Sequence, residues 1–392
     1  MTTDNLMNTY GRQAISLVKG EGAYVWDDKG NKYLDALCGI AVCSLGHAHP
    51  GVAKAICEQA KTLVHTSNIY HIPAQEQLAE KLCALSNMDR VFISNSGAEA
   101  NEAAIKIARL FGNNKGIKTP TIIVTESSFH GRTLATLSAT GNRKIQAGFE
   151  PLVGGFARVP FNDVEAIREV AKNNKNVVAV LVEPVQGEGG INIPDTNYLN
   201  EIRNICDEHD WLMMLDEIQT GVCRTGKWFA HQHNGITPDV MTLAKALGNG
   251  FPIGACLAKG KAAEVFQPGN HGSTYGGNPL ACHVAFSTLA IHEQEKTDQQ
   301  AKETGEYLLS EFKSRFAEIP EVTDIRGMGM MIGIELDRPC AELVSKAIDS
   351  GLLINVTAEK VIRLLPPLNM TKEQANKLVS TLVDVVKAFL SR

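Results

Sequence analysis

Apolar residues recur along the chain with two different spacings. RVFISN (90–95), TIIVT (121–125), VVAVLVEP (177–184), WLMMLDE (211–217), DVMTLAK (239–245) and IGACLA (253–258) are short runs rich in β-branched or large apolar residues. Such runs suit strands covered on both faces. Between them lie amphipathic stretches with helical spacing, GVAKAICEQAKTLV (51–64), AEANEAAIKIARLF (98–111) and NYLNEIRNICDEH (197–209). Strand and helix alternate, which predicts a mostly parallel sheet covered by helices. The first 50 residues read differently, as short strands and turns. AYVWDDKGNKYLD (23–35) predicts a hairpin with its turn at 28–31. From about 278 the rhythm changes again, to long polar helices, a hairpin over VTDIRGMGMMIGIEL (322–336), a strand at VIRLLPP and a terminal helix over 371–390. That is an α+β module.

Composition adds limits. The 392 residues are 44% hydrophobic and 21% charged, as in an ordinary globular protein, and long enough for two domains. A net charge of −5 gives no general attraction for nucleic acid or membrane. No apolar run approaches the ~20 residues of a membrane span. The N-terminus lacks a secretory pattern, so the expected location is the cytoplasm. Nine scattered cysteines without a CxxC pair, Cys38 and Cys43 being the closest two, read as reduced thiols. His47-x-His49 and His231-x-His233 have no third ligand nearby, so no metal is expected.

Six stretches carry candidate chemistry. In SNSGAEANEAAIK, Ser96, Gly97 and Ala98 open a helix whose free N–H groups favour an anion. In WLMMLDEIQTG, Asp216 stands at the carboxyl end of a strand, where parallel sheets gather ligands. In SFHGRT, Phe129 offers a ring for stacking and Arg132 a fork for a carboxylate. Glu183 ends a buried strand in VEPVQGEGG, with Gln186 and Glu188 on the loop beyond. GSTYGGNPLA offers the hydroxyls of Ser273 and Thr274. The sixth stretch, TLAKALGNGFPIGA (242–255), holds a single charge, Lys245, among small and apolar residues. A lysine, a carboxylate, an aromatic ring and a phosphate cup together suit a flat, phosphorylated aldehyde cofactor.

These six motifs, in this order, resemble the class III pyridoxal-phosphate aminotransferases of fold type I, over nearly the whole chain. The resemblance implies a large domain (56–289) with a seven-stranded, mostly parallel sheet. It also implies a smaller α+β domain made from both termini (1–55 and 290–392). It implies pyridoxal 5′-phosphate bonded covalently to Lys245, with Asp216 on its ring nitrogen and Gln219 near its 3-oxygen. Ser96, Gly97 and Ala98 would hold the phosphate, joined by Thr274 of a second subunit, which makes the expected assembly a homodimer. Phe129 would stack on the ring. Arg132 and Ser273 would hold a substrate carboxylate. Arg363 would take the α-carboxylate of glutamate or 2-oxoglutarate, and would pair with Glu183 when an ω-amine substrate is bound. The expected reaction moves the δ-amino group of N2-acetylornithine to 2-oxoglutarate, in arginine biosynthesis. Ile40, in place of an aromatic residue, would leave room for the acyl group and offer no partner to a free α-ammonium. Succinylornithine, N-succinyl-diaminopimelate, ornithine and 4-aminobutyrate are the alternative donors. A catalytically idle cofactor-binding regulator is the non-enzyme alternative. Cys223 stands where the family often has glycine, so the expectation is an altered local loop conformation.

Overall fold

The computed structural model describes residues 5–391. Its centre is a seven-stranded sheet built from β4 (Arg90–Ser94), β5 (Thr121–Thr125), β6 (Phe156–Val159), β7 (Val177–Val182), β8 (Leu212–Asp216), β9 (Val240–Leu243) and β10 (Gly254–Ala258), in the order β4-β10-β9-β8-β7-β5-β6. Neighbours pair in parallel from β6 to β9, and β10 runs antiparallel to both β9 and β4. Every residue of β7, β8, β9 and β10 is buried, as their unbroken apolar runs predict. Successive side chains serve opposite faces. Ile122, Val124, Leu212 and Met214 join the core under the helix Gly97–Asn114. Ile123, Met213 and Leu215 join the other core, under the helices Val164–Asn173 and Tyr198–His209.

Two further four-stranded sheets complete the fold. One joins β1 (Leu17–Glu21), β2 (Tyr24–Asp27) and β3 (Lys32–Asp35) to β13 (Leu352–Leu353), which pairs in parallel with β3. The other has the order β11-β12-β15-β14, from β11 (Val322–Met328), β12 (Met331–Leu336), β14 (Asn355–Thr357) and β15 (Val361–Leu364). A shared core holds Ala23, Leu34 and Ala36 from the N-terminal part and Leu308, Ile334, Ile362 and Leu382 from the C-terminal part. The β2–β3 turn is organised by Asp27, whose carboxylate accepts from Lys29 N, Asn31 N, Asn31 Nδ2 and Tyr33 OH at 2.8–3.0 Å. No helix among the described residues is long and apolar enough to cross a membrane.

The candidate active site

The carboxyl ends of β4, β5, β7, β8 and β9 face one edge of the large sheet, and the loops beyond them carry most of the predicted residues. These loops enclose a cavity of about 600 Å³ lined by Ser96, Gly97, Ala98, Phe129, Arg132, Glu183, Asp216, Gln219, Lys245 and Ile40, among others. Ten of the thirteen predicted positions therefore meet in one place.

Lys245 follows β9 in a single 3-10 turn, at a φ of 44°. That left-handed backbone is costly for a residue with a Cβ and turns the side chain into the cavity. The amine has no hydrogen-bond or ion-pair partner among the described residues. Burial holds its pKa below the ordinary lysine value; Asp216, Glu183 and Glu188 oppose this and Arg363 adds to it. Asp216 ends β8 with 4% exposure. Its Oδ2 meets Asn101 Nδ2 and His130 Nδ1, both at 2.8 Å, and its Oδ1 accepts from Ile218 N at 3.1 Å. Asn101 is itself fixed, since its Oδ1 accepts from Thr242 Oγ1 and its Nδ2 also reaches His130 O. The adjacent Glu217 is a structural group. It accepts from Ala230 N, His231 N and Thr220 Oγ1 and faces His231 Nδ1 at 2.9 Å.

The helix Gly97–Asn114 starts at the cavity. Ser96 caps it, accepting from Glu99 N at 3.2 Å. Gly97 and Ala98 are its first two residues, so their N–H groups have no carbonyl partner within the helix. A Cβ on Gly97 would lie 2.8 Å from Ile218 Cδ1, so glycine leaves the backbone closely packed here. Phe129 is half-buried, and the Arg132 guanidinium lies 5.7 Å from its ring centroid. Arg132 is exposed to the cavity and makes no ion pair among the described residues.

One expected pairing is corrected. Arg363 does not meet Glu183. Its Nη1 donates to Glu188 Oε2 at 2.8 Å, and its Nε and Nη2 donate to Asn355 Oδ1 at 3.1 and 2.7 Å. Arg363 is almost completely buried behind Glu188, which faces the cavity. Glu183 is occupied elsewhere, accepting from Phe129 N at 2.9 Å and Gly187 N at 3.2 Å. It clamps the 126–141 and 182–190 loops together. Burial raises its pKa, with Asp216 adding and His130 opposing. Glu188 was visible in the sequence as a glutamate on a glycine-rich loop, but only folding chooses which glutamate reaches the arginine. Asn101 and His130, as anchors of Asp216, also had no assigned role in the sequence. The signal for Asn101 was a polar residue on the alanine-rich face of a helix.

Ser273 and Thr274 do not line the cavity of the single chain. Ser273 Oγ accepts from Gly276 N and Asn95 Nδ2, and Thr274 is exposed. Cys223 is buried at a φ of 70°, so it keeps the left-handed conformation that glycine would take more cheaply. The four histidines of the HxH pairs each have their own partner, Asp35, Glu295, Glu217 and Thr225.

The fold and this cavity define an aminotransferase. Residues 7–386 match the profile of the family described as Aminotransferase class-III, and the chain belongs to that family. It is 60% identical over 386 residues, 98% of each chain, to a protein of Nitrosomonas europaea named acetylornithine aminotransferase. Among solved structures, the ornithine aminotransferase of Toxoplasma gondii superposes with a TM-score of 0.95 at 34% identity, covering 99% of this chain and 93% of that one. N-acetylornithine aminotransferase from Stenotrophomonas maltophilia K279a superposes with a TM-score of 0.85 at 37% identity, covering 97% of both chains. As a class III aminotransferase the chain uses pyridoxal 5′-phosphate. The residues present fit that group. The cavity holds open N–H donors, an unpartnered amine and a fixed carboxylate, and Gln219 Oε1 and His130 Nε2 are buried without partners.

Proposed function

We propose that the protein transfers the δ-amino group of N2-acetyl-L-ornithine to 2-oxoglutarate. The products are N-acetyl-L-glutamate 5-semialdehyde and L-glutamate. The observation that carries this reading is the unequal state of two guanidinium groups at one cavity. Arg132 is exposed and unpaired, whereas Arg363 is covered by Glu188. A donor that reacts at its far end brings one carboxylate, which Arg132 takes. Glutamate and 2-oxoglutarate bring a second carboxylate beside the reacting carbon. Glu188 then releases Arg363 to hold it. One pocket thereby takes two substrates of different shape.

The other roles follow from the same geometry. Gly97 and Ala98 would bind the cofactor phosphate through backbone N–H groups, with Ser96 capping the helix behind them. Phe129 would cover the ring, Gln219 would donate to its 3-oxygen, and Asp216, held by Asn101 and His130, would keep the ring nitrogen protonated. Bound pyridoxal phosphate supplies the electron sink for the pair released at the substrate carbon. Lys245 would attach the cofactor covalently. Its free Nζ would be the base placed to take the proton from that carbon, and burial disfavours its charged form. Thr274 and Ser273 act from a second copy of the chain in a homodimer, which accounts for hydroxyls that the chain's own cavity leaves outside. The division into a large domain (56–289) and a small one (1–55 with 290–392) belongs to the same reading, supported by the parallel β3–β13 pairing.

Ile40 supports the acylated donor. It lines the cavity at 38% exposure and offers no acceptor to a free α-ammonium. The test is a donor panel. Turnover should be fastest with N2-acetylornithine, with succinylornithine next and ornithine and 4-aminobutyrate well behind, each forming glutamate from 2-oxoglutarate. A kcat/KM for ornithine equal to that for N2-acetylornithine would sink the reading.

A further inference from the structure

The strand β14 supports the Arg363–Glu188 pair from behind, through two side chains on one face. Asn355 and Thr357 are two residues apart, so they project to the same side of the strand. Asn355 lies directly across from Arg363 in the antiparallel pairing of β14 with β15. Its Oδ1 accepts from Arg363 Nε at 3.1 Å and from Nη2 at 2.7 Å. A guanidinium offers only donors, so the amide oxygen has to face it. Those contacts occupy one edge of the fork and leave the Nη1 end to Glu188 Oε2, at 2.8 Å. Thr357 holds the other member of the pair. It is buried, and its Oγ1 donates to Glu188 O. Arg326 ties the same loop, its Nε donating to Ile191 O at 2.9 Å and its Nη2 to Gly190 O at 2.7 Å. The backbone around Glu188 is therefore anchored, while its side chain stays 44% exposed. Among the described residues, Glu188 is the only carboxylate paired with Arg363.

We propose that Asn355 is a positioning residue for the second substrate: it holds the Arg363 guanidinium in place when Glu188 swings away, and its neutrality leaves the arginine free to take a substrate carboxylate. This role rests on the reading of Arg363 as the holder of the α-carboxylate of glutamate and 2-oxoglutarate. When Glu188 leaves, Arg363 loses its one charged partner. Asn355 Oδ1 keeps Nε and Nη2, so the Nη1 end stays where Glu188 met it. The incoming carboxylate then replaces the departing one without freezing a loose arginine side chain, whose rotamer freedom would otherwise be lost on binding. The acceptor has to be neutral. A carboxylate at the same place would make charge-assisted bonds to the same two nitrogens, roughly twice as strong as the amide's. Arg363 would then carry a permanent counter-ion and attract a substrate carboxylate less. Asn355 orients the guanidinium yet leaves its charge to Glu188 and substrate by turns. Thr357 complements this by fixing the Glu188 carbonyl, so the exchange needs only a side-chain rotation.

The test measures glutarate binding to the holoenzyme by calorimetry, and each half-reaction by the absorbance of the bound cofactor. Glutarate carries the two carboxylates of 2-oxoglutarate and no reacting carbonyl. Asn355→Asp is nearly isosteric and should bind glutarate at least about tenfold more weakly. The half-reaction with glutamate should show a matching rise in apparent Kd. The half-reaction with N2-acetylornithine, which brings no carboxylate to Arg363, should change far less. Asn355→Ser adds no charge and is too short to reach the guanidinium, and it should weaken glutarate by a smaller factor, about threefold. Unchanged glutarate affinity in Asn355→Asp, or equal losses in the two half-reactions, overturns the proposal, because a residue that only braces the fold would move both alike. If Asn355→Asp does not fold, unchanged affinity in Asn355→Ser overturns it instead. Arg363→Leu separates this role from the reading beneath it. Unchanged glutarate affinity there removes Arg363 from substrate binding altogether. A large loss there beside no change in Asn355→Asp discards only the part played by Asn355.

Discussion

The charge of Arg363 is met by one carboxylate. Glu188 covers it with a hydrogen bond of 2.8 Å while its own side chain stays 44% exposed. A partly exposed pair of this kind contributes about 1 kcal/mol, so it is strong enough to hold the arginine and weak enough to open. Glu188→Gln removes the competing charge and keeps the volume. The variant should bind 2-oxoglutarate and glutamate about fivefold more tightly, and should lose a similar factor in discrimination against donors with a free α-amino group. Half-reaction rates with glutamate and N2-acetylornithine measure both effects. Unchanged discrimination would separate Glu188 from the selection step. Glu183 is a poor site for the same experiment. It ties two loops through Phe129 N and Gly187 N, and its removal disturbs their positions first.

At the scale of elements, the cavity depends on how closely β10 approaches the start of the helix Gly97–Asn114. Gly254 opens β10 opposite Ser94. A Cβ there would stand 2.3 Å from Ser96 O, a backbone atom that cannot rotate away. Gly254→Ala therefore has to move the helix start or the strand, at a cost of about 1–3 kcal/mol. The expected result is a lower unfolding midpoint together with weaker pyridoxal phosphate binding, read by cofactor titration. A variant with normal cofactor affinity would mean that the loop yields without disturbing the phosphate cup. The glycine was legible in the sequence, but its reason was not. IGACLA reads as a strand whatever lies across from it, and the close approach is made by a segment some 160 residues earlier in the chain.

Across the whole molecule, one buried histidine links distant parts. His292, on the helix Pro279–Glu295, meets Ser44 Oγ at 2.9 Å with Nε2 and Thr297 Oγ1 at 2.6 Å with Nδ1. Burial, with smaller contributions from Arg224 and His49, lowers its pKa to about 3. The folded protein thus keeps it neutral, while the unfolded chain protonates it near 6.5. The sign follows from that order. The contribution to stability is complete above pH 6.5 and falls by up to about 1.4 kcal/mol per pH unit as the pH drops toward 3. His292→Gln should flatten the loss of stability between pH 6.5 and 5, whatever it does to stability at pH 7. Denaturant midpoints across that range are the measurement. An unchanged slope would assign the acid sensitivity to other groups.

The sequence by itself determined the class of fold and most of the cavity. Strand runs such as VVAVLVEP and WLMMLDE are buried on both faces, so their apolar pattern is nearly independent of context. Cavity side chains at strand ends, Asp216 and Lys245, inherit their placement from those strands, which is why both positions were legible. What only the tertiary structure decided is which groups meet across the chain. Glu183 and Glu188 lie five residues apart on one loop, and nothing local distinguishes them as partners for Arg363. Asp35 and His47 are close in sequence, yet they meet only because the backbone takes a left-handed turn that residues with a Cβ rarely adopt. Local pattern fixes strands and helices through burial, whereas pair contacts depend on loop conformations that surrounding packing selects.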